Sequence, residues 1–88
     1  MNQNYPNPFN PSTVISWQLA KTGIITLKVY DVLGNELTTL VNEYQNAGEH
    51  SVTFDIQKSI HHSLSSGVYF YQLRAGNNII TKKMLYLR

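Results

Sequence analysis

Thr13-Val14-Ile15-Ser16-Trp17-Gln18-Leu19 alternates without a break. Successive side chains of a strand point to opposite faces, so Thr13, Ile15, Trp17 and Leu19 share one face and Val14, Ser16 and Gln18 the other. The same period runs on downstream. Ile24 to Asp31 turns Ile25, Leu27 and Val29 inward and Thr26, Lys28 and Tyr30 outward. Asp31-Val32-Leu33-Gly34-Asn35 suits a short hairpin, with Gly34 at positive φ. Glu36 to Asn42 reads as a third strand, and Gln45-Asn46-Ala47-Gly48 turns the chain. Glu49 to Asp55 is a fourth strand, with His50, Val52 and Phe54 on one face. Val68 to Ala75 is apolar or aromatic on both faces, which places it centrally in a sheet. Gly76-Asn77-Asn78 then leads into a last strand, Ile79 to Leu87.

Upstream, Tyr5-Pro6-Asn7-Pro8-Phe9-Asn10-Pro11 is barred from helix, because each proline fixes its own φ and extends the residue before it. A short extended edge piece is expected there, with Tyr5 and Phe9 as anchors folded onto the sheet. Asn7 and Asn10 are of the kind that bond nearby backbone in turns. Ile56 to Ser66 fits either a turn or two of helix or a loop that dips Ile60 and Leu64 into the core. Six strands and the opening piece make about seven, with turns at roughly ten-residue spacing, the pattern of a β-sandwich. Residues 1–88 read as one unit, with 1–12 a Pro/Asn-rich opening segment within it.

Composition agrees with this. The 88 residues are 42% hydrophobic, 11% aromatic and 14% charged, too apolar and too weakly charged for a disordered tail. No apolar run approaches the length of a membrane-spanning helix. With no cysteine, disulfides and thiolate metal sites are excluded. A net charge of +2 gives no argument for nucleic acid as a partner. The core is barely sufficient at this size, and six tyrosines, three phenylalanines and one tryptophan supply its bulk. Charge is uneven: residues 1–20 carry no acidic or basic side chain, whereas Lys82, Lys83 and Arg88 crowd the end with no acid among them. The start, Met-Asn-Gln-Asn-Tyr-Pro, lacks the features of a signal peptide.

The inventory for catalysis is thin, and no catalytic, metal or cofactor site is expected. Asp31, Glu36, Glu43, Glu49 and Asp55 read as solvated carboxylates. His61 and His62 are adjacent, so in extended chain they point opposite ways and make poor joint ligands. No Gly-x-Ser-x-Gly turn or phosphate loop is present. Tyr30, Tyr69, Tyr71 and Tyr86, if partly exposed, form a strip on which sugars stack; otherwise the rings cover the sheet. Lys82 and Lys83 protect an edge strand and project to opposite faces, so one should be partly sheltered along its stem.

Three segments together resemble a known family. They are Asn4-Tyr5-Pro6-Asn7-Pro8-Phe9-Asn10-Pro11-Ser12-Thr13, then Val29-Tyr30-Asp31-Val32-Leu33-Gly34, then Leu64-Ser65-Ser66-Gly67-Val68-Tyr69-Phe70-Tyr71-Gln72-Leu73 followed by Thr81-Lys82-Lys83-Met84. In order and spacing they are similar to the C-terminal sorting domain of type IX (Por) secretion cargo, type A. The resemblance implies an immunoglobulin-like antiparallel β-sandwich that follows a cargo domain. It implies partners in an outer-membrane translocon and a sortase-type cysteine peptidase that removes the domain. The route implied runs through the periplasm to the cell surface or medium. Carried over by position, recognition falls on Gly67, Tyr69, Lys82, Lys83, Met84 and the terminal Arg88. Tyr5, Pro6, Asn7, Pro8, Phe9, Asn10, Pro11, Tyr30, Asp31 and Gly34 are the motif residues with a structural role.

The chain departs from the family between Asp55 and Leu64, where Ile56 to Ser63 is several residues longer; a longer surface loop costs little in closure entropy. The competing reading is an accessory sandwich that binds carbohydrate or adheres to a surface. A flagellar hook-capping type of immunoglobulin-like domain shares the Tyr-Asp-x-x-Gly turn but not the proline-rich opening or the Lys-Lys-Met ending. A last strand at a sheet edge is also a candidate for strand addition by a partner, or for self-pairing.

Overall fold

The computed structural model describes residues 1–60 and 64–88. Its elements are β1 (Ser12–Leu19), β2 (Gly23–Tyr30), β3 (Glu36–Gln45), β4 (Gly48–Asp55), a single helical turn α1 (Ile56–Ser59), β5 (Gly67–Ala75) and β6 (Asn78–Tyr86). β1 and β4 form one sheet, and the other has the order β3-β2-β5-β6. All pairs are antiparallel. The molecule is an all-β sandwich, with β5 in the interior of the larger sheet as its two apolar faces require.

Period-two patterning decides which side chains meet between the sheets. Thr13, Ile15, Trp17 and Leu19 of β1 are all buried. Across from them lie Ile25, Leu27 and Val29 of β2, Tyr69, Tyr71 and Leu73 of β5, and Met84 and Tyr86 of β6. The β4 face is graded. Phe54 is fully buried, Val52 packs at the margin, and His50 stacks on Trp17 with ring centroids 6.1 Å apart.

β3 runs three residues past its expected end at Asn42. Its ten residues oppose the eight of β2 by way of two bulges, which leave Leu40 and Leu37 without a direct partner. Sequence periodicity does not register such an insertion, because a bulge shifts the alternation itself.

The opening segment is not a seventh strand. It makes two isolated bridges, Tyr5 antiparallel to Val14 of β1 and Phe9 parallel to Tyr86 of β6. Pro6, Pro8 and Pro11, each in a cis peptide bond, have no N–H to donate, so no continuous ladder forms. The segment therefore passes from the edge of one sheet to the edge of the other. Only one of its two expected anchors is buried. Phe9 is 2% exposed, with centroids 6.0 Å from Phe54 and 5.4 Å from Tyr86. Tyr5 is 80% exposed: its bridge to Val14 puts the ring on the outer face, because opposed residues share a face.

The described residues of the Ile56–Ser66 stretch show one helical turn, Ile56–Ser59, and an inward Ile60. Asp55 caps α1, its Oδ1 accepting from the N–H groups of Gln57 and Lys58 at 2.9 and 3.2 Å. Ile60 is buried, and Leu64 packs half-buried against the core. His61 and His62, on which the metal reading fell, lie with Ser63 outside the described residues.

Candidate recognition surface

The basic end of the chain is built into β6. The register sets Tyr69 opposite Met84, Tyr71 opposite Lys82 and Phe70 opposite Lys83. Opposed residues share a face, so Lys82 lies on the core-facing side, half-buried, while Lys83 stands exposed on the outer side. Tyr69 and Met84 are buried at 5% and 1% exposure, beyond the reach of any partner of the folded domain. Tyr69 donates from its hydroxyl to the Ser65 carbonyl at 2.7 Å, tying the preceding turn to the strand. Gly67 opens β5 at φ +149, a conformation that favours glycine. Arg88 is exposed, and its N–H donates to Ser66 Oγ at 2.9 Å. Of the six candidate recognition residues, Lys83 and Arg88 are the openly accessible side chains and Lys82 the partly accessible one.

As expected, β6 is an edge strand, but half of that edge is occupied. Gln3 Nε2 donates to the Lys83 carbonyl at 2.7 Å, and Asn7 Oδ1 accepts from the Leu85 N–H at 2.9 Å. Phe9 donates to the Leu85 carbonyl and accepts from the Leu87 N–H, at 3.0 and 3.1 Å. The strand addition expected at this edge would therefore meet free backbone along only part of β6. Groups of Leu85 point away from β5, so alternation puts those of Thr81 and Ile79 on the same side. Among the described residues, no backbone group pairs with them there. Asn7 is corrected too: its acceptor serves backbone 78 positions away, not its own turn.

A polar knot holds the segment on its other side. The Tyr71 hydroxyl accepts from the Asn4 N–H at 2.8 Å and donates to the Asn2 carbonyl at 3.0 Å. Asn4, itself 2% exposed, donates from Nδ2 to Thr13 Oγ1 at 3.0 Å, and that hydroxyl donates to the Pro6 carbonyl at 2.8 Å. No buried side-chain polar atom among the described residues lacks a partner. Sequence reasoning missed Asn4 and did not foresee Thr13 as a polar anchor. The available signal was a threonine on an otherwise apolar inward row.

The central motif is a turn. Asp31 Oδ1 accepts from the N–H groups of Leu33 and Asn35, both at 2.9 Å, while Oδ2 accepts from Asn35 Nδ2 at 3.1 Å. The Asn35 N–H and its neighbours hold the Asp31 carboxyl below the usual aspartate range. Gly34 sits at φ +86. Tyr30 lies half-buried on the outer face beside Phe70. Two of the acids read as merely solvated, Asp31 and Asp55, are thus turn and helix caps. Glu36 pairs with Lys28 at 2.9 Å and raises the lysine's pKa.

The tyrosine strip does not exist as a platform. Tyr69, Tyr71 and Tyr86 are 5%, 0% and 4% exposed and fill the core. A polar hollow of about 500 Å³ beside Trp17 holds His50 and Glu49; His50 Nε2 is engaged with the Asn46 carbonyl at 2.7 Å. Among the described residues, no three His, Asp or Glu side chains converge as metal ligands would.

The molecule thus combines a buried scaffold with a basic, partly covered edge strand. The family model for the secretion system C-terminal sorting domain matches residues 3–86. The chain belongs to that family, the sorting domains of type IX secretion. Proteins carrying such a domain go to the cell surface or beyond it. No curated protein and no solved structure matches the chain.

Proposed function

We propose that residues 1–88 act as one folded address that directs a preceding cargo through the outer-membrane translocon after periplasmic transit, with removal by a sortase-type peptidase. In this reading Lys82, Lys83 and Arg88 are the contacted residues. Gly67, Tyr69 and Met84 contribute by building the edge that presents them. The observation that carries it is the gathering of three cations and no acid at the final edge strand of a family member. Charge so placed favours encounter with an acidic partner and fixes orientation more than it adds affinity. No chemistry on a substrate is assigned to the domain. The carbohydrate-binding alternative loses support, since three of its four tyrosines are core.

The test is a reporter fusion in a host with the type IX apparatus. Changing Lys82, Lys83 and Arg88 together to alanine should trap the reporter in the periplasm while the domain stays folded. Full export of that variant would refute the assignment. Removing residues 82–88 should trap it too, though that deletion also removes the buried Met84 and Tyr86.

A further inference from the structure

We propose that the Asn2–Phe9 segment is a removable guard of the last strand. The export apparatus then pairs with the β6 edge between Lys83 and Leu87 only after the guard's Asn7–Phe9 portion has left it. This rests on the sorting reading above. The partner is an extended, carboxylate-bearing stretch of protein that carries one large apolar side chain.

Three edge groups of β6 and one just past its end are spoken for in the free domain: the Lys83 carbonyl, both Leu85 groups and the Leu87 N–H. Their occupant is a poor strand. Only Phe9 offers backbone to the edge; the other two contacts come from the side chains of Gln3 and Asn7. Prolines at 6, 8 and 11 prevent any neater pairing. A regular strand would replace side-chain contacts with ladder bonds, as strand addition does elsewhere.

The guard is also attached in two places. Asn2, Asn4 and Tyr5 are fixed to β1 and to the Tyr71 hydroxyl, and from between them Gln3 reaches β6 through its side chain alone. The β6 side can therefore open while the β1 side holds. Opening vacates the slot of Phe9 between Phe54 and Tyr86, which is why the partner needs an apolar group of its own.

Charge supplies the preference for a partner over the guard. Residues 1–20 contain no Asp, Glu, Lys, Arg or His, so the guard offers no carboxylate to Lys83 and Arg88 beside the edge. Among the described residues, the one salt bridge is Lys28 with Glu36, remote from this edge in register. Incoming carboxylates gain attraction that the guard does not.

Amide exchange in the full chain tests separability. The Leu85 and Leu87 amides should exchange about tenfold or more faster than those of Leu27 and Tyr71, through a local opening. Exchange of all four at one common rate overturns the proposal. Function is tested by a cross-link in this cysteine-free chain, Asn7→Cys with Leu85→Cys, on an exported reporter fusion. The oxidised pair should stay trapped, while the Asn7→Ser, Leu85→Ser pair is exported. Undiminished export of the cross-linked protein overturns the guard. Loss of export in the serine pair as well, with the wild-type fusion also retained, counts against the sorting reading itself. If the cysteine pair does not cross-link, the exchange result decides. Lys83→Glu with Arg88→Glu should abolish export, and export at the wild-type level overturns the acidic partner.

Discussion

The hydroxyl of Tyr71, in the middle of β5, accepts the N–H of Asn4 at 2.8 Å across 67 residues of sequence. The same oxygen donates to the Asn2 carbonyl, so one buried phenol satisfies two backbone groups of the opening segment. Tyr71→Phe keeps the ring and strands both. The expected loss is about 1–3 kcal/mol in denaturant unfolding, the cost of leaving buried polar groups unpaired. A variant as stable as the parent would show that water takes the hydroxyl's place.

Tyr71 also sets an alkaline limit. Burial raises its pKa above the ordinary 10.0, although the Asn4 N–H favours the anion. The folded value is the higher one, so the folded state keeps a proton that the unfolded chain releases. This contribution is whole below the ordinary value and is lost as pH climbs from there through the folded one. Tyr71→Phe should flatten that part of the stability profile.

Phe9 is expected to be the costliest residue of the opening segment. It fills the space between Phe54 and Tyr86, and Phe9→Ala should lose about 3–5 kcal/mol. Tyr5→Ala, at an exposed ring, should change stability by less than about 0.5 kcal/mol. Equal effects at the two positions would contradict the placement of the segment.

At the acid end the sign reverses. Backbone bonds led by the Asn35 N–H depress the Asp31 carboxyl below its ordinary 3.8. A depressed folded pKa gives stability that is present above the ordinary value and disappears as pH falls through the folded one. Carboxyl titration by NMR should find Asp31 below the ordinary aspartate value of 3.8. Asp31→Asn should weaken the dependence on pH in that window.

Gly34 tests the same turn through the backbone. Its φ of +86 is open to glycine, and an added Cβ meets nothing within 4 Å. The cost of Gly34→Ala is therefore conformational, roughly 1–2 kcal/mol, and Gly34→Asn should cost less because asparagine tolerates this region better. Equal losses from the two would point to a steric cause instead.

Much of the sandwich was legible because its signal is local. Thr13 to Leu19 and Ile25 to Val29 alternate cleanly, and every inward residue they name is buried. The glycine of the Asp31 turn was equally plain. What escaped depends on partners far along the chain. Asn7 serves Leu85 and Tyr71 serves Asn2 and Asn4, relationships with no local periodicity. The bulges at Leu40 and Leu37 break the very pattern by which a strand is recognised. For the proposed recognition surface, the motif named residues of β5 and β6 together but did not separate Met84 and Tyr69, which are buried, from Lys83 and Arg88, which are exposed.

The most direct test places residues 1–88 behind a fluorescent reporter that carries its own signal peptide, in a host with a working type IX apparatus. Fractions of medium, cell surface and periplasm are then compared with those of the Lys82→Ala, Lys83→Ala, Arg88→Ala fusion. The parent reporter should reach the surface or medium and the triple variant should stay in the periplasm with its domain folded; retention of both, or export of both, would contradict the account.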